Sequence, residues 1–467
     1  MKTIVIIGAG FSGTVLAARL LTMASPEPIE VTLINRSGPQ GRGVAYGTRS
    51  AKHILNVPAG NMSALSTNPR HFLDYCTRVD ALVRPESFVS RQIYGDYLGS
   101  LLSAAAQQGG STRRLIRLET EARRIERMEN DSAAPGMQIE LSNGSRISAD
   151  EVVLAVGNFP PRNLPVTDAS FYESARYVRD PWKPGALDSV PVDADVLLLG
   201  TGLTAVDVAA QLAQASTSRK CYAISRRGLV PQPHRCARGA NRAGNPIDLV
   251  DAMGGDVRRY VRVLRAHIRR STENGVNWRD VLASLRPHTP ALWERLSIFE
   301  RKRFLRHVQP FWDVHRHRLA PEAHLYFHGI INSRNLELLR GRVLNYEAAQ
   351  DGVDVLIKLR GEVKPKQLRV SYVVNCTGPA SDVRSIDDPL ITQLLKEGLV
   401  CADPLGLGLH IGEGYECVDA SGRASGGLRY VGPLLKARFW EATAVPELRV
   451  HTEALARLLL GDRNAAA

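Results

Sequence analysis

Two stretches of the chain share one pattern of apolar and small residues. In the first, the apolar run 4–7 is followed by a glycine-rich turn, by apolar residues at helical spacing and by a second apolar run, 29–34. Short continuous apolar runs are typical of strands that are buried on both faces of a parallel sheet. The pattern therefore predicts a strand, a helix and a second strand within residues 2–36.

The turn after the first strand has three glycines at the spacing of a dinucleotide-binding fingerprint. In such a turn the first glycine allows a tight bend, the second lets the backbone approach a pyrophosphate, and the third lets helix and strand pack closely. The N–H groups at the helix N-terminus then favour the bound anion. The predicted residues of this first cradle are Gly8, Gly10, Phe11, Ser12 and Gly13.

The same unit occurs a second time near residue 195. An apolar strand, 195–199, precedes a Gly-x-Gly-x-x-Ala turn, a helix over about 205–213 and another strand, 221–224. Two dinucleotide-binding units predict that the chain binds two nucleotides. The predicted residues of the second cradle are Gly200, Gly202, Leu203 and Thr204.

The end of strand 221–224 indicates which nicotinamide cofactor the second unit prefers. Enzymes specific for NAD place an acidic residue here, which binds the 2′-hydroxyl of the ribose. This chain has Ser225, Arg226 and Arg227 instead, a set that suits the 2′-phosphate of NADPH. The alternative is that the two arginines form an ordinary solvated surface, so NADPH is favoured over NADH without the choice being closed.

Two further apolar strands end in small residues, at Gly157 and at Thr377-Gly378. Such endings are typical of proteins in which the chain crosses between two dinucleotide-binding domains. We expect an α/β protein with two Rossmann-like domains, the second inserted into a discontinuous first one. The predicted boundaries are 1–190 and 379–467 for the first domain and 191–378 for the second, with a helical insertion at about 230–330.

Composition argues against several other classes of protein. The chain has 467 residues, of which 44% are hydrophobic and 23% are charged, as in ordinary globular proteins. Its net charge of +13 reflects arginines spread along the whole chain, without any signature of a nucleic-acid-binding fold. No apolar stretch approaches the ~20 residues of a membrane span, and the short apolar start runs directly into a glycine motif, unlike a signal peptide. We expect a protein of the reducing cytoplasm that binds neither nucleic acid nor membrane.

No metal or dithiol site is expected. The six cysteines are scattered without a Cys-x-x-Cys pair, which argues against a zinc site, a disulfide scaffold and a dithiol redox centre. On a helix His315 and His317 point to opposite sides, and no third ligand is near them in sequence. The neighbouring Arg316 and Arg318 are better interpreted as structural residues or as contacts to a cofactor phosphate.

Seven stretches of the chain are distinctive: GRGVAYGT (41–48), HILNVPAGNMSA (53–64), FVSRQIYGDYL (88–98), GTGLTAVD (200–207), NWRDVLASLRP (277–287), FWDVHRHRLAP (311–321) and FWEATAVPELR (439–449). Together they resemble a bacterial family of FAD/NAD(P)-binding proteins related to flavin-containing and N-hydroxylating monooxygenases. The resemblance covers essentially the whole chain. It implies that the first unit binds FAD and the second binds NAD(P)H, with dioxygen and an amino acid or amine as substrates.

The resemblance also implies a catalytic asparagine. In the related monooxygenases a comparable Asn contacts the nicotinamide beside the flavin ring, which assigns that role to Asn56. The alternative is a turn residue whose side chain satisfies only its own backbone. Asn61, Met62 and Ser63 follow closely and are candidate flavin contacts.

Two further places are implied by the same resemblance. Gly432 and Pro433 precede a helix N-terminus that would face the pyrimidine edge of the flavin and stabilise its negative charge when reduced. The first unit departs from the family pattern at Asn35, where a Glu or Asp usually holds the ribose hydroxyls. An amide accepts the same hydrogen bond without a charge. The next residue, Arg36, would stack on the adenine or face water.

These features predict an NADPH-dependent FAD monooxygenase that oxidises a heteroatom of a small molecule, with an amino nitrogen as the main candidate. Two alternatives stay open at this point. One is an NAD(P)H-linked flavin oxidase or reductase, and the other is a non-catalytic, redox-sensing flavoprotein that binds a partner protein. A disulfide reductase is disfavoured because the chain has no Cys-x-x-Cys pair.

Overall fold

Both predicted strand–helix–strand units are present in the computed structural model of the chain, which describes residues 1–48, 50, 52–128, 136–216, 218–235 and 243–462. The strands are β1 Lys2–Ile7, β2 Ile29–Asn35, β3 Arg113–Glu119, β4 Ala122–Arg127, β5 Met137–Leu141, β6 Arg146–Ala149, β7 Glu151–Leu154, β8 Tyr177–Val178, β9 Val196–Leu199, β10 Cys221–Ser225, β11 Leu336–Ala349, β12 Gly352–Leu359, β13 Lys366–Val370, β14 Tyr372–Asn375, β15 Glu416–Val418 and β16 Ala424–Tyr430.

The α-helices of the described residues alternate with these strands and also form one long run between β10 and β11. They are α1 Phe11–Thr22, α2 Gly43–Tyr46, α3 His71–Val79, α4 Arg91–Gln108, α5 Leu203–Ala215, α6 Ile247–Met253, α7 Val257–Glu273, α8 Trp278–Ser284, α9 Thr289–Glu294, α10 Ile298–His307, α11 Gln309–Arg316, α12 Pro321–Asn332, α13 Pro389–Lys396 and α14 Val445–Leu459.

The chain divides into two units. Unit 1 comprises residues 1–51, 57–159 and 380–467, and unit 2 comprises 52–56 and 160–379. Residues 160–190, which the sequence analysis assigned to the first domain, therefore group with unit 2.

Unit 1 is built on a six-stranded sheet with the order β15-β16-β7-β1-β2-β3. All neighbours in it are parallel except the edge strand β15, which is antiparallel to β16. The apolar run of β1 lies at the centre, between β2 and β7, and its residues 4–6 are at most 2% exposed. Helix α1 packs between α4 and α14. A separate antiparallel sheet, β4-β5-β6, completes the unit.

Unit 2 is built on a seven-stranded sheet with the order β13-β12-β11-β10-β9-β14-β8. The five strands from β11 to β8 in this order are parallel to their neighbours, and β12 and β13 extend the sheet as an antiparallel hairpin. Strand β9 lies between β10 and β14, as β1 does between β2 and β7 in the other unit. The two sheets confirm the predicted fold, with two Rossmann-like parallel sheets.

The connection from β10 to β11 is helical, as predicted for about 230–330. It contains α6 to α12, although residues 236–242 of the predicted insertion lie outside the described part of the chain. A small apolar core holds α6, α7, α8 and α9 together. Within the described residues, no helix is both long enough and apolar enough to cross a membrane.

Candidate functional site

The first cradle has the close contacts that its glycines predict. Gly8 has a φ of +110°, and a Cβ atom on it would lie 2.4 Å from the carbonyl oxygen of Ala155, just beyond β7. A Cβ on Gly13 would lie 1.9 Å from the carbonyl oxygen of Gly8. Phe11 and Ser12 are buried in the first turn of α1, and Gly10 caps this helix without a side-chain hydrogen bond. Backbone N–H groups are therefore available to an anion at this helix end.

A loop that the sequence analysis left without a role lies against this cradle. The N–H of Gly41 donates to the carbonyl oxygen of Ala9, and a Cβ on Gly43 would lie 3.1 Å from the Cα of Gly10. Arg42, between the two glycines, forms an ion pair with Asp96 of α4. The signal was the stretch GRGVAYG itself, since closely spaced glycines often mark a close backbone approach.

The residues after β2 are more constrained than expected. The amide nitrogen of Asn35 donates to the carbonyl oxygens of Ser37 (3.0 Å) and Gly38 (2.7 Å), so the side chain orders its own turn. Its amide oxygen is the atom that would accept a ribose hydroxyl. Arg36 is not left to water alone, because its guanidinium lies 2.7 Å from carboxylate oxygens of both Glu121 and Asp388.

The three predicted flavin contacts that follow Asn56 have different surroundings. Asn61 ends a short 3-10 helix and is exposed, whereas Met62 is 3% exposed. The buried hydroxyl of Ser63 donates to the carbonyl oxygen of Asn68 at 2.6 Å and accepts the N–H of Leu65. Ser63 thus stabilises its own loop, and Asn61 is the one of the three that presents a polar side chain at the surface.

Gly432 and Pro433 open a 3-10 helix, Pro433–Ala437, that the sequence did not predict. The predicted helix with Val445, Leu448 and Val450 is α14, which begins at Val445. The hydroxyl of the fully buried Tyr430 accepts the N–H of Leu434 at 2.9 Å and so caps this turn. The role of Tyr430 was missed, because nothing in the sequence distinguishes it from other strand residues.

The second cradle repeats the geometry of the first. Gly200 has a φ of +112°, and a Cβ on it would lie 2.6 Å from the carbonyl oxygen of Cys376, just beyond β14. A Cβ on Gly202 would meet no described atom within 4 Å, so the space beside it is open to a ligand. Leu203 and Thr204 form the first turn of α5, and Ala205 fits in the third position with a fully buried methyl group.

The two strand endings singled out in the sequence occupy equivalent places in the two units. Gly157 and Gly378 both have left-handed φ values, +72° and +89°, and a Cβ on either would meet no described atom within 4 Å. Glycine is the residue that adopts this conformation without strain. The hydroxyl of Thr377 donates to the side-chain oxygen of the fully buried Asn375. The same hydroxyl is the group predicted to contact a cofactor, so its proton is already used within the protein.

Beyond β10, a network of hydroxyl groups orders the turn that carries the two predicted arginines. The hydroxyl of Thr201 lies 2.8 Å from that of Ser225 and donates to the carbonyl oxygen of Leu229. Ser225 in turn accepts the N–H of Gly228 at 3.0 Å. Arg226 is exposed, and Arg227 donates to the carbonyl oxygens of Arg306 and His307 at the end of α10.

A cavity of about 530 Å³ lies at this turn. Arg226 and Arg227 line it together with two exposed arginines, Arg340 and Arg360. Sequence reasoning missed these two residues. Arg340 on β11 pairs in register with Ser225 on β10. The backbone N–H of Arg360 donates to the carbonyl oxygen of Arg340. The four guanidinium groups come together only through this long-range strand pairing. Their fork of donors matches a phosphate, so we name this cavity the arginine pocket.

Asn56 belongs to unit 2, where its carbonyl oxygen lies 3.0 Å from Nε2 of His234. Burial and the nearby guanidinium groups of Arg318, Arg316 and Arg279 lower the pKa of His234 to about 4. The imidazole is therefore neutral at pH 7, and its Nε2–H donates to Asn56.

The arginines around His234 form a cationic cluster. Pro233, next to His234, forms an isolated β-bridge with Leu319. The guanidinium of Arg279 donates to the carbonyl oxygen of Pro233 at 2.8 Å. Arg235 forms an ion pair with Asp280 at 3.0 Å. Burial and the neighbouring arginines lower the pKa of Arg318 to about 10. The charge of this cluster suits the cofactor-phosphate role considered for Arg316 and Arg318.

The two histidines of the HRHRLAP stretch are used locally. Nδ1 of His315 lies 2.7 Å from the carbonyl oxygen of Phe311, and His317 lies 3.9 Å from Asp313. No cluster of three or more His, Cys, Asp or Glu with the geometry of a metal site occurs among the described residues.

Comparison with known proteins gives a family match for the part of the chain that holds the first cradle. Residues 5–159 match a family model described as FAD-NAD(P)-binding, which confirms the resemblance stated from the sequence. No curated protein matches the chain.

The whole fold is similar to that of several solved enzymes. For ornithine hydroxylase from Pseudomonas aeruginosa the TM-score is 0.66, with 15% identity over 99% of each chain. For ornithine N-hydroxylase from a Kutzneria species, solved with reduced FAD, NADP⁺ and L-ornithine, it is 0.63, with 15% identity over 98% of each chain. Bacillithiol disulfide reductase from Staphylococcus aureus has a TM-score of 0.55 and 13% identity, over 99% of this chain and all of that one. At these identities the likeness establishes the fold.

Proposed function

We propose that the protein is an NADPH-dependent FAD monooxygenase that oxidises the amino nitrogen of a small molecule. The observation that carries the proposal is the presence of two complete dinucleotide cradles, the second of them ending in the arginine pocket. The fold, shared with ornithine hydroxylases over nearly the whole chain, supports the same reading.

Unit 1 fits FAD. Gly8 and Gly13 are too closely packed to carry side chains, and the backbone at Gly10 is bordered by Gly43, so a pyrophosphate meets main-chain N–H groups rather than side chains. Asn35 would accept a hydrogen bond from the ribose, and Asn61 offers an exposed amide to the flavin. When bound, FAD supplies the redox chemistry that activates dioxygen, and the protein supplies binding, orientation and electrostatics.

Unit 2 fits NADPH. Gly202 leaves open space at the N-terminus of α5, and the hydroxyl network of Thr201 and Ser225 holds the next turn in place. The arginine pocket then offers positive charge where an NAD-specific enzyme has a carboxylate. Asn56, oriented through its backbone by His234, is the residue proposed to hold the nicotinamide.

A specific observation disfavours a disulfide reductase, although one shares the fold. Cysteine reacts as the thiolate, and burial raises the pKa of all five cysteines in the described part of the chain; Cys236 lies outside it. The pKa rises to about 12 for Cys76 and about 11 for Cys221, and it is also raised for Cys376, Cys401 and Cys417. These thiols stay protonated at pH 7 and are poor nucleophiles.

The substrate proposed is an amino acid or a simple amine, by analogy with the ornithine that both similar hydroxylases are named for. The test is to follow NADPH and oxygen consumption by the FAD-loaded protein over a panel of amino acids and diamines, and to assay hydroxylamine products. One substrate that yields product in proportion to NADPH supports the proposal. Stoichiometric hydrogen peroxide with every amine would instead establish the flavin oxidase.

A further inference from the structure

A second, larger cavity lies in the helical insertion, away from both cradles in sequence. It has a volume of about 960 Å³. One wall is α7, and the other is formed by Arg303 and His307 of α10 and by Val308, which follows that helix. We call it the α7 groove. The N–H of Val257 on α7 donates to the carboxylate of Glu300 on α10, which joins the two walls at this end. Glu300 also pairs with Arg303 of its own helix.

The rim of the α7 groove is strongly cationic. Arg258, Arg262, Arg265 and Arg269 follow one another at spacings of four, three and four residues, which places them on one face of α7 along about 16 Å. All four are exposed, and none of the described residues that line the groove is acidic. Like charges at i, i+4 destabilise a helix, and so do arginines in its first turn. A purely solvated face would gain from alternating acids, so this stripe is costly unless it meets a partner.

The interior of the α7 groove is apolar. Its other lining residues include Val257, Val261, Ala266 and Val308. Aliphatic side chains in a trough between arginines suit a ligand with one apolar face and acidic flanks. Single-stranded nucleic acid binds by stacking on several aromatic residues, whereas among the described residues that line the groove His307 has the only ring. A bilayer surface needs large apolar side chains that protrude, whereas Val257 is buried and Val261 and Val308 are half-buried.

We propose that the α7 groove is a docking site for an acidic amphipathic helix of a partner protein. Apolar residues of that helix would enter the trough, and its Glu and Asp side chains would pair with the arginine rim. Electrostatic complementarity of this kind raises the association rate and selects the partner. None of the four arginines belongs to either cradle or to the arginine pocket, although His307 lines both cavities.

The probe is a fluorescent 18-residue Glu-rich helical peptide with leucines on one face, and its binding to the FAD-loaded full chain is measured by anisotropy. We expect the affinity for the peptide to fall as the salt concentration rises. The double variant R262E/R265E should lower this affinity at least tenfold. The matched control is Arg342→Glu, an exposed arginine of the same unit outside the groove, which should change the affinity less than twofold. A peptide of equal charge with scrambled leucines should bind at least fivefold more weakly.

Several outcomes would overturn the proposal. Equal loss in R262E/R265E and R342E, or equal binding of the scrambled peptide, would mean that the groove attracts charge without recognising a helix. Tighter binding of a 20-nucleotide single strand or of phosphatidylserine vesicles through the same arginines would assign the groove to that ligand. A wild-type dimer in sedimentation that R262E/R265E dissociates would assign it to a second copy of the chain. Thermal unfolding and flavin content, unchanged in both variants, exclude misfolding as the cause.

Discussion

The Nε2 atom of His234 donates a hydrogen bond to the carbonyl oxygen of Asn56, 178 residues away in sequence, at 3.0 Å. The bond fixes the backbone of Asn56 and leaves its side-chain amide to other partners. Because burial and three nearby arginines hold the imidazole neutral, its single N–H proton lies on Nε2, where the carbonyl oxygen accepts it. The main chain of Asn56 is therefore positioned by His234 of the helical insertion, a residue to which the sequence assigned no role.

If Asn56 holds the nicotinamide, Asn56→Ala should leave FAD bound and its reduction by NADPH largely intact. Product formation should fall, and hydrogen peroxide should appear in its place, because one oriented hydrogen bond contributes about 1–3 kcal/mol. That corresponds to roughly a five- to hundredfold change in the ratio of product to peroxide. Product and peroxide assayed in parallel, under saturating NADPH, measure the ratio directly.

A second variant, His234→Phe, removes the hydrogen-bond donor to Asn56 but keeps a buried ring. It should shift the same ratio in the same direction by a smaller factor, since the Asn56 amide is still present. A wild-type ratio in both variants would return Asn56 to the role of a turn residue.

The arginine pocket predicts a preference for NADPH over NADH. Charge-assisted hydrogen bonds contribute about 1.5–3 kcal/mol, so Arg226→Ala and Arg340→Ala should each lower the ratio of kcat/KM for the two cofactors by roughly tenfold or more. The loss should appear for NADPH and not for NADH. Arg342→Ala, two residues further along β11, is the matched control and should leave the ratio unchanged. Stopped-flow flavin reduction with both cofactors provides the measurement.

The third glycine of the first cradle and the second glycine of the second cradle should respond differently to an added methyl group. Gly13→Ala places a Cβ at 1.9 Å from the carbonyl oxygen of Gly8, so we expect a destabilised unit 1 that is purified without FAD. Gly202→Ala meets no described protein atom and should fold normally with FAD bound. Its methyl group would occupy space beside the second cradle, and the KM for NADPH should rise at least tenfold. Yellow, NADPH-saturable Gly13→Ala protein would contradict the first half of this prediction.

Two buried histidines predict how stability depends on pH. The pKa of both His234 and His451 is lowered to about 4 from the ordinary 6.5, mainly by burial. Between these values the unfolded chain binds protons that the folded protein does not, so the free energy of unfolding falls as the pH drops from 6.5 to 4. Each histidine contributes up to about 3 kcal/mol to this loss.

Urea midpoints at pH 7 and pH 4.5 test this in wild type and in His451→Gln. The variant loses the hydrogen bond to Tyr415, so it is less stable at pH 7, but its stability should fall less on acidification. His410→Gln, which replaces an exposed histidine of the same unit, should keep the wild-type dependence. An unchanged slope in His451→Gln would show that this histidine does not titrate on unfolding.

The sequence by itself determined the two cradles and the fold around them. The glycine turns, the flanking apolar runs and the strand endings at Gly157 and Gly378 are local signals, because a tight turn and a strand buried on both faces each need particular residues at adjacent positions. Arg226 and Arg227 could be predicted in the same way, because they directly follow the second strand of the second unit.

Only the tertiary structure decided what surrounds those local features. Arg340 and Arg360 join Arg226 because β11 pairs with β10 after more than one hundred residues of helical insertion, and no spacing rule encodes that pairing. The engagement of Ser63 by its own loop likewise depends on hydrogen-bond partners that the linear pattern does not show. Long-range contacts of this kind follow from the packing of whole elements, so the chemistry of a single residue type cannot reveal them.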